Sequence, residues 1–267
     1  MSLRLVPDEL WELVEPDLPA FEPRPQGGGT APVDARAVFT AIVYVLTSGC
    51  AWRMLPGSFG VSPATAHRRF TDWARAGVFA RVQRRVLDRC GAAGMVDWSS
   101  VILDAASVRA KRGGSLTGPS PVDRGKKGSK IHVITDANGL PLVVGVSAAN
   151  LHDSQAAEPM VRGIPPLRSR RGPRRRRPDK LRADKGYDYD HLRTFLRQRG
   201  IIPKIARRGI DSAERLGRHR WKVERTLAWL TGYRRLTIRY ERHGKLYAAF
   251  VALGATITAF KKLQAAT

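Results

Sequence analysis

Three carboxylates stand out for the company they keep. Asp104 lies inside the apolar run VILDAASV, Asp184 closes KLRAD just before Lys185-Gly186-Tyr187, and Glu224 falls within RWKVERTLAWLTGYRRL, which starts at Arg220. Two acids on strands and one on a helix can converge on hydrated divalent cations, because carboxylate oxygens suit Mg²⁺ and Mn²⁺. Each acid alone has a plainer explanation. Asp104 could end a strand, Asp184 could be a turn residue, and Glu224 could be a surface acid paired at i,i+4. An unpaired buried acid is costly, however, and strand, strand and helix placement together favours a shared site.

The elements that must carry these acids follow from the pattern. Val223, Leu227 and Leu230 recur at i, i+4 and i+7, one face of a helix. At about 100° per residue, Glu224 is expected on the flank of that face, half sheltered. VILDAASV reads as a first strand. SKIHVITDANGLPLVVGVSAAN reads as two strands around Asp136-Ala137-Asn138-Gly139, whose Asn-Gly is a hairpin signal. KLRAD and IIPKIAR are a fourth and fifth strand, with helices at SQAAEPMVRGI, YDHLRTFLRQRG and LYAAFVALGATITAFKKL. Strands in sequence, then strand and helix in alternation, give an α/β fold with a mixed sheet. Asp136 reads as turn chemistry, and Asp153 as the cap of the SQAAEPM helix.

Residues 1–95 read as a separate helical domain, and 96–267 as the strand-bearing one. Asp34 caps ARAVFTAIVYVLTSG, with Gly49 suited to its end. Ser62-Pro63 opens PATAHRRFTDWARAG, and VFARVQRRVLDRCG follows. Two helices around a tight turn, the second presenting Thr65, His67, Arg68 and Arg69 in its first turns, resemble a helix-turn-helix. An ordinary helical bundle with a basic face is the alternative.

The 267 residues carry 47 Lys+Arg against 23 Asp+Glu, a net charge of +24. That excess implies a polyanionic partner, since neutralising phosphates releases counterions, and solubility needs far less charge. A membrane surface would also attract it, yet the sequence suggests no 18-residue apolar run for a span. The first residues lack the apolar segment of a secretory signal. Cys50 and Cys90 are isolated, as in a reducing cytosol, and offer no zinc or disulfide pattern. No Walker lysine loop or dinucleotide glycine fingerprint occurs, so neither ATP nor NAD is expected. His132 and His152 could ligate a metal, but hydrogen-bonded structural histidines are the more natural reading. RSRRGPRRRRP is expected to be a mobile, solvated loop.

VILDAASV, ADKGYD and RWKVERTLAWL…YRRL resemble the DDE transposases of bacterial insertion sequences. LPGSFGVSPATAHRRFTDWARAGVF is similar to the insertion-element region that precedes the catalytic domain in one such group, and GSKIHVITDANGLPL and ANLHDS to its linking segments. The resemblance implies a ribonuclease H-like catalytic domain with Asp104, Asp184 and Glu224 as catalytic acids and metal ligands, two Mg²⁺ or Mn²⁺ ions, and DNA cleavage followed by strand transfer. It also implies double-stranded DNA as partner (terminal inverted repeats and target), a homodimer in the DNA complex, no membrane, and a place at the bacterial nucleoid. Arg220 stands where the family signature has its Arg, while Gly217 and Thr231 occupy the usual Tyr and Lys positions. Arg225, Arg234 or Arg235 would then supply the phosphate contact. Thr65, Arg68 and Arg69 are the expected readers of the element ends. Lys126, Lys127 and Lys130, with the Arg168–Arg177 run, are expected on flanking or target DNA. A nuclease that cuts without joining, and a decayed DNA-binding regulator, are the alternatives.

Overall fold

A computed structural model describes residues 5–20, 33–210 and 213–266, with the backbone alone over 213–220. The chain opens with helices α1 (Asp8–Val14), α2 (Ala35–Ser48), α3 (Pro63–Arg75) and α4 (Val78–Ala92). The Asp34 carboxylate accepts the N–H groups of Arg36 and Ala37, which starts α2. Gly49 ends it at φ 71°, a left-handed turn that costs glycine little. A Cβ there would also meet the Arg234 backbone, so the turn doubles as a close approach to the C-terminal half. The connection from α2 to α3 is longer than a tight turn and carries two 3₁₀ turns, Trp52–Met54 and Gly57–Phe59. Ser62 Oγ accepts the Thr65 N–H, and Pro63 sits at the first helical position of α3.

The sheet is built on β1 (Val101–Ala110). After β2 (Gly118–Pro119), strand β3 (Lys127–Asp136) pairs antiparallel with β1, and β4 (Pro141–Ala148) returns antiparallel along β3. The turn between them is held by Asp136, whose Oδ1 accepts the N–H groups of Asn138 and Leu140. Helix α5 (Asp153–Arg162) leads to β5 (Lys180–Ala183), which pairs parallel with β1. Helix α6 (Asp190–Gln198) leads to β6 (Ile202–Ile205), parallel to β5. Then come α7 (Ala213–Gly232), the short α8 (Arg234–Thr237), β7 (Ile238–Arg239) on β1, and α9 (Gly244–Ala266). This is the ribonuclease H-like mixed sheet with flanking helices and a helical N-terminal region.

One hydrophobic core runs through both regions. Helix α9 packs on α4 and β4, and Phe250 stacks on Phe70 with ring centroids 4.2 Å apart. By length and composition α9 is apolar enough to cross a membrane, contrary to the sequence reading, but 78% of that window is buried inside the molecule. Its apolar surface is therefore the surface of a core helix. Cys90 is buried beneath it, and that burial pushes its thiol up to about 12, which leaves it inert.

The arginine run is the clearest departure from expectation. It folds back as a hairpin on α4: Leu167 and Arg175 pair, and Asp88 accepts the Arg168 N–H and the Arg174 guanidinium. Ser169 donates to Pro173, and Arg176 to the Arg162 carbonyl. Backbone approaches backbone at Gly91, where a Cβ would stand 2.1 Å from the Arg168 carbonyl oxygen. Gly91→Ala is therefore expected to cost roughly 1–3 kcal/mol or more, lowering Tm by about 2–4 °C per kcal/mol in a chain of this size. Gly57→Ala, with open space around it, is the control and should leave the thermal melt within about 2 °C.

Candidate active site

Strand pleating sorts the sheet into two faces. Leu103 of β1 and Leu181 of β5 pack with Val161 of α5 and Leu192, Phe195 and Leu196 of α6. Side chains alternate along a strand, so Ile102 and Asp104, with Arg182 and Asp184, turn to the face those helices leave open, against which α7 packs on β1 and β3. The last paired positions of β1 and β5 are Ile102 and Arg182. Asp104 and Asp184 each stand two residues further along, on the same face and just past the paired stretch.

Local bonds aim both carboxylates. Asp104 is 7% exposed, and its Oδ1 accepts the Ala105 N–H at 2.8 Å. Asp184 is half-buried and heads the 3₁₀ turn Lys185–Tyr187, with Oδ1 accepting the Gly186 N–H at 2.9 Å. A Cβ at Gly186 would come 3.0 Å from that oxygen, so a larger residue would crowd the carboxylate.

Glu224 lies on α7 but is exposed rather than half sheltered. Thr226 joins Val223, Leu227 and Leu230 in the buried stripe. At about 100° per residue this moves the stripe's centre roughly 110° away from Glu224. The helix is registered by Lys222 Nζ on the Ala137 carbonyl (2.7 Å) and Thr226 Oγ1 on that of Gly139 (2.7 Å).

Among the described residues, no three acidic, His or Cys side chains stand close enough to hold an ion as placed. The donor set still fits a divalent cation: hard carboxylate oxygens, two just past the point where β1 and β5 stop pairing and the third on a helix packed against the same sheet. To complete such a set, Glu224 would have to turn in from α7. His132 faces the other way, toward α5, where its Nε2 bonds Ser147 Oγ at 2.8 Å. Burial lowers its pKa to about 4, so the ring is neutral. His152, not Asp153, caps α5 by accepting the Ser154 N–H, while Asp153 pairs with Lys130 at 2.8 Å.

The basic residues divide. Arg68 is exposed on α3, and Thr65 and Arg69 are half-buried there. Lys126, Lys127 and Arg234 are exposed. Arg220 lies outside the described side chains. Lys130 is committed to Asp153 and the Leu151 carbonyl, which takes it off the list of DNA contacts. Arg225 is held between the Trp221 and Trp229 rings, 4.7 Å from each centroid, and donates to Asn138. Arg235 is corrected outright: 5% exposed, it bonds Glu241 Oε1 through Nε and Nη2 (2.8 and 2.7 Å) and the Cys50 carbonyl. The sequence reading passed over Arg182, on the same face of β5 as Asp184. Its Nε is buried without a hydrogen-bond partner, and burial lowers its pKa. The signal was available, since Arg182 and Asp184 alternate in KLRAD.

Residues 6–83 match a family described as "Putative transposase of IS4/5 family", and residues 99–258 match "Transposase DDE domain". The chain belongs to the IS4/5 family of bacterial DDE transposases. A Burkholderia cepacia protein named "Putative transposase for insertion sequence element IS402" is 45% identical over 150 residues, 56% of this chain and 71% of that protein. A second, "Insertion element IS402 uncharacterized 16.2 kDa protein" from the same organism, is 40% identical over 123 residues, 45% of this chain and 84% of that protein. A solved pre-cleavage Mos1 transpososome overlaps 89% of this transposase and 81% of its own chain, at 10% identity and a TM-score of 0.34. That overlap is too loose to transfer any detail. As a DDE transposase, the chain depends on divalent metal.

The Arg235–Glu241 pair gives a direct check on the correction. Arg235→Ala leaves a carboxylate buried and unpaired, and should cost about 3–5 kcal/mol in urea unfolding. The exposed Arg234→Ala should stay within about 0.5 kcal/mol.

Proposed function

We propose that this transposase binds the terminal inverted repeats of its insertion sequence, cuts there and joins the freed ends to target DNA, in the cut-and-paste manner. In this reading it works as a homodimer at the bacterial nucleoid, one copy per element end, with Mg²⁺ or Mn²⁺ held by Asp104, Asp184 and Glu224. The observation that supports the residue assignment is the β1–β5 register, which stops two residues before each strand acid, on the face against which α7 packs.

The metal, when bound, supplies Lewis acidity at the reacting phosphodiester. The chain's own residues do the rest. The Ala105 and Gly186 amides fix one oxygen of each strand carboxylate, so these acids need little reorganisation. Glu224, exposed on α7, would supply the third carboxylate by turning toward the sheet. Arg182 offers a guanidinium to a phosphate oxygen beside Asp184, and the surrounding excess of Lys and Arg offsets the repulsion between three acids and a polyanion.

Asp104→Asn, Asp184→Asn and Glu224→Gln should each abolish cleavage of a duplex carrying the element end, while Kd for that duplex stays within a few-fold. Wild-type cleavage in any one variant would remove that residue from the site. A joining assay with pre-cut ends separates transposition from simple nuclease action.

A further inference from the structure

A cavity of about 530 Å³ lies between the helical region and the segment that follows α8. Trp52, Arg53 and His67 line it from one side, and Arg112, Tyr240 and Arg242 from the other. Arg53, Arg112 and Arg242 are exposed and have no acidic partner among the described residues. The acid in the lining, Glu241, is already taken by Arg235. The cavity therefore holds an unneutralised cationic excess beside two aromatic rings, within the size range of ligand sites.

Its walls are built, not draped. Arg239 is fully buried and donates to the carbonyls of Ser115, Leu116 and Glu241 and to Ser129 Oγ. Gly114 lies so near the Arg242 backbone that a Cβ would stand 2.0 Å from its carbonyl oxygen, and Ser115 N–H donates to that oxygen. Arg235 reaches across to the Cys50 carbonyl at 2.9 Å. On the other side Trp52 is packed edge-on to His67 and stacked on Phe250. These hydrogen bonds, spent on positioning one wall, make a fixed receptor for whatever the guanidinium groups attract.

We propose that this cleft is a phosphate-backbone site for DNA, gripping the strand that runs from the α3 face toward the sheet. The proposal rests on the transposase reading and deepens it. His67 of the cleft precedes Arg68 on α3, so a duplex laid on that helix has its next phosphates at the cleft mouth. Because the walls come from both family-matched regions, a strand held there is registered against α3 and the catalytic sheet together.

The test is salt-dependent DNA binding by the full chain carrying Arg53→Ala, Arg112→Ala and Arg242→Ala together, beside the wild type and a triple Arg→Lys variant. Each lost phosphate contact should make the log–log salt slope shallower by about 0.9, and the lysine variant should keep the wild-type slope. If thermal unfolding shows the triple variant is less stable, the three single Ala variants are read instead, each expected to lose about 0.9. A steep wild-type slope left unchanged by the Ala substitutions would overturn the cleft while sparing the transposase reading. Loss of dTMP or inorganic pyrophosphate binding with the DNA slope unchanged would also overturn it, making the cleft a small-anion site. A flat wild-type slope would sink both readings.

Discussion

The short parallel pairing of β1 with β5 is the constraint on which the candidate site depends. Asp104 and Asp184 each lie two residues past the last β1–β5 pair, so their relative placement follows from that register. The parallel register of Val101–Leu181 and Ile102–Arg182 holds the strands, and the packing of Leu103 and Leu181 against α5 and α6 clamps them from behind. Amides at Ala105 and Gly186 take up part of the charge. The two acids are thus placed by a core that has nothing to do with the chemistry proposed for them.

The same logic accounts for the fusion of the helical region with the sheet. Helix α9 fills the space between α4 and β4, while Arg235 and Gly49 stitch the α2 terminus to the segment after α7. The arginine hairpin, anchored on Asp88, adds a third tie. Residues that would recognise DNA on α3 and residues that would cut it on β1 and β5 therefore sit on one packed body. Relative placement of recognition and chemistry is set by packing rather than by a linker.

What was legible in the sequence was what depends on local periodicity. The Asp34 and Ser62 caps, the Asn138-Gly139 turn and the strands carrying Asp104 and Asp184 all follow from nearest-neighbour chemistry. What was not legible depends on contacts distant along the chain. Arg235 and Lys130 look like any basic surface residues until Glu241 and Asp153 are seen beside them. The arginine run is exposed, as expected, but it reads as an unanchored loop because Asp88 and Gly91, its anchors, lie some eighty residues away. Glu224 is exposed rather than half sheltered because it lies about 90° from the centre of the apolar stripe, and Thr226, bonding a carbonyl of the β3–β4 turn, carries that centre slightly further away.

The central claim is that a divalent cation binds where β1 and β5 stop pairing, between Asp104, Asp184 and α7. Replacing it with Fe²⁺ and adding peroxide cleaves the backbone where the ion sits. Cuts should cluster at Asp104, at Asp184–Gly186 and on α7 near Glu224, and excess Mg²⁺ should suppress all of them together. Cuts confined to the Asp136 turn or the α5 start near Asp153, with β1 and β5 intact, would contradict it.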